Sequence, residues 1–124
     1  MGYPVNPPTQ PVSGLSFRRF ANPSTTVQTI LAPSGLLSVV LQYRLLPGAT
    51  AVAGQRMRFV LNAASDADAA GKLATADAYG VLYQGDDVAF GSLSSDPILR
   101  IDFRTEAAVG AEVTEFQAVM GVLS

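Results

Sequence analysis

Asp66-Ala-Asp68 and Asp86-Asp87 are the tightest acid clusters in the chain. Carboxylates at such spacing can supply hard oxygen ligands for calcium or magnesium. Asp66 and Asp68 do not complete a calcium-binding loop, because Ala70 and Gly71 follow and no glutamate stands at the closing position. Roles at turns and helix starts, which aspartate favours, account for all four residues, so no metal is expected. A second chemistry, glycoside hydrolysis by two carboxylates, needs no histidine and could pair Asp87 with Glu115 on facing strands. A chain without tryptophan has few aromatic platforms for a sugar, and the enzyme reading is the weaker one. Phe17-Arg18-Arg19-Phe20 interleaves cations with aromatics, as single-stranded nucleic acids require. With one lysine and a net charge of −2, the chain is poorly suited to making many phosphate contacts. These four residues are better read as a strand with Phe17 and Phe20 packed and Arg18 and Arg19 at a subunit contact.

The residues that are missing narrow the chemistry further. Without histidine there is no imidazole base, no serine–histidine–aspartate triad and no histidine-bound metal; without cysteine there is no disulfide, thiolate ligand or cysteine nucleophile. No phosphate-binding glycine loop ending in Lys-Ser or Lys-Thr occurs, and no cofactor is expected. The longest apolar run, residues 36–46, is broken by Ser38, Gln42 and Arg44 and falls short of the roughly 20 residues that span a bilayer. The N-terminus lacks the basic and apolar regions of a signal peptide, so a soluble protein made inside the cell is expected, with no membrane partner.

The elements that must position these groups are short strands. Residues 36–46 alternate, with Leu37, Val39, Leu41, Tyr43 and Leu45 on one apolar face. Residues 56–62 repeat the pattern with Met57, Phe59 and Leu61 inward. Residues 98–104 set Leu99, Ile101 and Phe103 against a wet face of Arg100, Asp102 and Arg104. Residues 112–123 turn Thr114, Phe116, Ala118, Met120 and Val122 inward, with Glu115 and Gln117 outward. Strands are also expected at residues 16–20 and 25–31, and at 79–84 and 88–93, the last two joined as a hairpin across Gly85-Asp86-Asp87. Residues 65–78 fit either a short helix capped by Ser65 or an irregular excursion. The sum is an all-β domain: a β-sandwich, jelly roll or Greek-key barrel of about seven or eight strands with at most one short helix.

Charge divides along the chain. Residues 1–62 carry five arginines and no acid, whereas residues 63–124 carry all ten acids against Lys72, Arg100 and Arg104, which is +5 against −7. Either the halves present different faces and create a dipole, or antiparallel pairing interleaves and neutralises them. Residues 1–15 form a separate feature: an extended, proline-rich arm ahead of a single domain at 16–124. Pro4, Pro7, Pro8 and Pro11 fix φ and remove donors, and Tyr3, Val5 and Val12 are its apolar anchors. Such a strip suits docking on a neighbour, because its prolines lower the entropy lost on binding.

A small, cysteine-free, mostly β chain opening with YPVNPPTQPVSG and continuing through short strands and Gly/Ala/Ser-rich turns resembles the capsid decoration, or cement, proteins of tailed bacteriophages. The resemblance lies in the overall layout and includes no diagnostic motif. It implies a non-enzymatic virion structural protein on the outer capsid surface, a dimer or trimer that binds the major capsid protein and bridges its subunits with the arm. The partner-binding residues expected from the sequence are Tyr3, Pro4, Val5, Pro7, Pro8, Pro11 and Val12 of the arm, with Phe17, Arg18, Arg19 and Phe20. The alternative is a β-sandwich binding module for a carbohydrate or peptide.

Overall fold

A computed structural model describes residues 12–21, 24–47, 56–106 and 114–123. These residues form eight strands and one helix: β1 (Val12–Ala21), β2 (Gln28–Leu31), β3 (Leu36–Leu45), β4 (Arg56–Leu61), α1 (Asp66–Leu73), β5 (Gly80–Tyr83), β6 (Asp86–Gly91), β7 (Arg100–Thr105) and β8 (Thr114–Leu123). Two four-stranded antiparallel sheets result, in the orders β1-β8-β3-β6 and β2-β7-β4-β5. β1 pairs with β8, β2 with β7, β3 with β6 and β4 with β5. The chain is therefore one long antiparallel ribbon rolled up on itself, with α1 at its apex between β4 and β5, which is the jelly-roll form of the sandwich.

Aromatic side chains from both sheets fill the space between them. Phe103 of β7 lies 4.2 Å, centroid to centroid, from Phe116 of β8, and Phe20 of β1 meets Phe103 edge-on at 4.8 Å. Phe59 of β4 meets Phe90 of β6 at 5.8 Å. Val39, Leu41, Tyr43, Met57, Ile101, Ala118 and Met120 are buried around them, following the alternation of their strands. Gly80 faces the Phe59 ring so closely that a Cβ there would sit 2.4 Å from Cζ, so β5 passes over this ring only because it carries no side chain at that point.

The helical alternative for residues 65–78 is the one realised, over its first part. Ser65 caps α1 by accepting a hydrogen bond from the Asp68 amide at 3.1 Å, and Ala69 and Leu73 bury against Val60 and Ala63. Val60 points outward from β4, so α1 covers the outer face of the β2-β7-β4-β5 sheet.

Several expectations need correction. β5 and β6 are not a hairpin: β5 lies in one sheet and β6 in the other, and the Gly85 amide bonds to the Tyr43 carbonyl where the chain crosses. Leu37 is not in the core, because a register shift between Leu36 and Ser38 breaks the alternation and Leu36 packs inward instead. Leu99 precedes β7 and is exposed. Asp102 and Glu115, expected to be wet, are 0% and 2% exposed. Residues 12–15, expected in the arm, belong to β1, while Tyr3, Pro4, Val5, Pro7, Pro8 and Pro11 lie outside the described residues. Among the described residues no helix is long and apolar enough to cross a membrane.

Candidate functional site: an open sheet face and an apolar end

Three of the four clustered acids singled out in the sequence, Asp66, Asp68 and Asp86, serve the fold. Asp68 accepts a hydrogen bond from the Ala64 amide at 2.8 Å and pairs with Lys72 at 3.1 Å, interactions that together hold its carboxyl below the usual range. Asp66 pairs with Arg100 at 2.8 Å, and Asp86 accepts from the Tyr83 amide at 3.0 Å. Among the described residues no group of three or more possible ligands is placed to hold a metal ion. Asp87 and Glu115 do share one sheet face, but β3 runs between them and they stand one row apart, Asp87 beside Gln42 and Glu115 beside Arg44.

The buried acids are each neutralised by arginine. Glu115 lies between Arg19 of β1, which donates from Nε and Nη2 to Oε2, and Arg44 of β3, whose Nε and Nη2 reach Oε1 at 2.8 and 2.7 Å. Burial pushes the Glu115 carboxyl up, but the hydrogen bonds from Arg19 and Arg44 outweigh it and leave the group below its ordinary 4.5. Glu106 is held down in the same way by Arg58 and Arg56 against the same opposing effect of burial. Asp102 accepts from Thr29 at 2.5 Å and from Arg100 at 2.7 and 2.9 Å. A general acid needs a raised pKa, and Glu115 and Glu106 are shifted the other way.

The Phe17–Phe20 stretch is divided by its strand. Residues three apart in a strand face opposite ways, so Phe20 enters the core while Phe17 stands on the outer face, 55% exposed. Arg18 lies 5.4 Å from the Phe20 ring centroid and Arg19 is committed to Glu115. The four residues therefore do not assemble one stacking platform.

Outside the core the two sheets differ. α1 and the Arg100–Asp102 cluster cover the outer face of the β2-β7-β4-β5 sheet, whereas among the described residues no element packs on the outer face of β1-β8-β3-β6. The register places three rows of side chains across that open face. The first is Leu15, Gly121, Ser38 and Gly91; the second is Phe17, Val119, Val40 and Ala89; the third is Arg19, Gln117, Gln42 and Asp87. Leu15 is 63% exposed, so Leu15 and Phe17 stand up at one edge of a face that is small-featured at the other.

A second apolar surface lies at one end of the sandwich, where the β2–β3 turn meets the β6–β7 connection. An open depression of about 490 Å³ is lined there by residues that include Pro33, Leu36, Leu37, Leu93, Ile98 and Leu99. Gly35 makes the turn with φ +79°, and Ser92 Oγ accepts from the Ile98 amide at 3.0 Å, which fixes the opposite wall. Leu93 and Leu99 are 61% and 63% exposed, and Leu31, at the end of β2 just before the lining begins, is exposed as well. Sequence reasoning did not identify this site. The available signal was three leucines placed where strands end, in segments rich in Ser, Pro and Asp that have no core to supply. Neither the models of known protein families nor the curated proteins compared with the chain give a match.

Proposed function

We propose that the protein is a non-enzymatic structural subunit of a virion, a capsid decoration or cement protein that binds and stabilises neighbouring capsid subunits. The observation that carries this reading is the leucine-lined depression at the end of the sandwich. Contiguous exposed apolar side chains on a small domain mark a surface made to be covered by another protein. Among the described residues its lining offers no charged side chain and no aromatic platform, which suits a protein contact better than a sugar. The jelly roll recurs in capsid and lectin domains, an analogy at the level of fold alone. The proline-rich residues 1–11 supply a second grip on the shell in this reading, and the major capsid protein is the partner.

The test mixes the purified protein with capsid shells of the virus that encodes it and separates bound from free protein by gradient sedimentation. The wild-type chain is expected to sediment with the shells at a fixed ratio. Leu93→Asp with Leu99→Asp is expected to weaken binding by about 100-fold, since two well-exposed anchors are replaced by charges at no cost to the core. Failure of the wild-type chain to bind, or undiminished binding of the double variant, overturns the assignment.

A further inference from the structure

We propose that the open outer face of the β1-β8-β3-β6 sheet is a self-complementary interface, on which a second copy of this chain docks about a two-fold axis. The axis runs parallel to the strands, midway between β8 and β3. It lays β1 of one copy over β6 of the other and β8 over β3, so each row of the face meets itself in reverse order.

The residues in those rows match under this operation. In the middle row Phe17 meets Ala89 of the second copy, and Val119 meets Val40. In the row above, Leu15 meets Gly91, where no atom lies within 4 Å of the position a Cβ would take. In the row below, Arg19 meets Asp87. Large therefore falls on small and positive on negative, and each match occurs twice by symmetry. Arg19 uses Nε and Nη2 on Glu115, which leaves Nη1 for a second acceptor. Asp87 is exposed and forms no ion pair within the described residues. Aligned sheets cross at about 30°, which shifts the outer strands by about 4 Å, within the reach of an arginine.

The size of the face sets the expected affinity. Four strands at about 4.8 Å spacing and ten residues at about 3.4 Å rise cover roughly 600 Å² per copy, or about 1,200 Å² in the dimer. That is the lower end of the range for specific interfaces, so dissociation in the micromolar range is expected. The proposal uses a different surface from the leucine-lined end and holds whether or not the chain binds a shell.

Sedimentation velocity of the full chain over roughly 1–100 μM tests it. The wild-type chain is expected to dimerise. Phe17→Glu and Ala89→Arg, both on exposed side chains, are each expected to raise the dissociation constant by about 100-fold with an unchanged melting temperature. Leu93→Asp should leave it unchanged. Asp87→Arg should raise it by about 10-fold, and salt should weaken the wild-type dimer. The decisive step mixes the Phe17→Glu and Ala89→Arg chains. Each is expected to be monomeric alone. A mixed dimer sets the acid introduced at position 17 of one chain against the base introduced at position 89 of the other while restoring the native Phe17–Ala89 match on the second side, so recovery of a dimer on mixing comes from these two contacts of the proposed interface. A heterodimer on mixing supports the interface. A monomeric wild type, a dimer that survives both single substitutions, or a mixture that stays monomeric overturns it.

Discussion

Replacing Glu115 by glutamine should destabilise the protein near neutral pH and make almost no difference in acid. The substitution keeps the shape of a side chain that is 2% exposed but removes its charge. Oε1 now accepts from Arg44 and Oε2 from Arg19, two donors to each oxygen. A glutamine amide can accept on one side only and presents N–H groups on the other, so one arginine must let go. Two charge-assisted hydrogen bonds lost in the interior would cost several kcal/mol. The arginine side chains, however, are 62% and 55% exposed and recover water when released, which reduces the expected loss to about 1–2 kcal/mol. For a domain of this size that lowers the melting temperature by about 4–8 °C. The carboxyl is held below its ordinary 4.5 in the folded state, so its contribution is fully present above the unfolded value and is lost as pH falls through the folded one. Thermal melts of both proteins at about pH 7 and about pH 2.5 provide the assay, since every other carboxylate titrates in both and cancels in the difference. Equal melting temperatures at neutral pH, or a gap of the same size in acid, would refute the reasoning.

Gly80→Ala should cost about 1–3 kcal/mol, because its Cβ would lie 2.4 Å from Phe59 Cζ in a ring already wedged against Phe90. Combined with Phe59→Leu, the loss should be smaller than the sum of the two single losses by denaturant titration, whereas additive losses would show that the ring is not the obstacle. Ser65→Ala removes the cap of α1 and should cost about 1 kcal/mol. Hydrogen exchange should then show the amides of Ala69 to Leu73 losing protection before those of β4, and uniform loss would mean that the helix and sheet open together.

Strand periodicity made much of the fold legible. β3, β4, β7 and β8 were readable because apolar residues alternate along them, and the buried positions Val39, Leu41, Tyr43, Met57, Phe59, Ile101 and Phe103 follow that alternation. The same rule misplaced Glu115 and Asp102. Both do point away from the core. Arg100 of the same strand covers Asp102 from one side, but the other partners reach across from other strands, 96 and 71 residues away for Glu115 and 73 for the Thr29 contact with Asp102. No window of local sequence contains that information. The β5–β6 connection failed for a related reason: a glycine with positive φ, here Gly85 at +95°, allows the chain either to return along the same sheet or to cross to the other. Phe17 and Arg19 were noticed for their types, yet their place in the open face depends on register with β8, a strand from the opposite end of the chain.

The division of charge along the sequence acquires a meaning from the topology. A rolled ribbon pairs the beginning of the chain with its end, so strands from the basic half lie beside strands from the acidic half. Arg19 on β1 and Arg44 on β3 flank Glu115 on β8, and Arg56 and Arg58 on β4 reach Glu106 at the end of β7. Four of the five arginines of the first half thus find acids in the second, and the segregated charges interleave in space. Pairing β1 directly with β3 would set Arg18 and Arg19 near Arg44 with no acid between them. Like charges disfavour that mispairing, and the native order, with β8 between β1 and β3, is the one that supplies the missing carboxylate. The charge pattern therefore helps to specify strand order, through contacts that can form only after the last strand has joined the sheet.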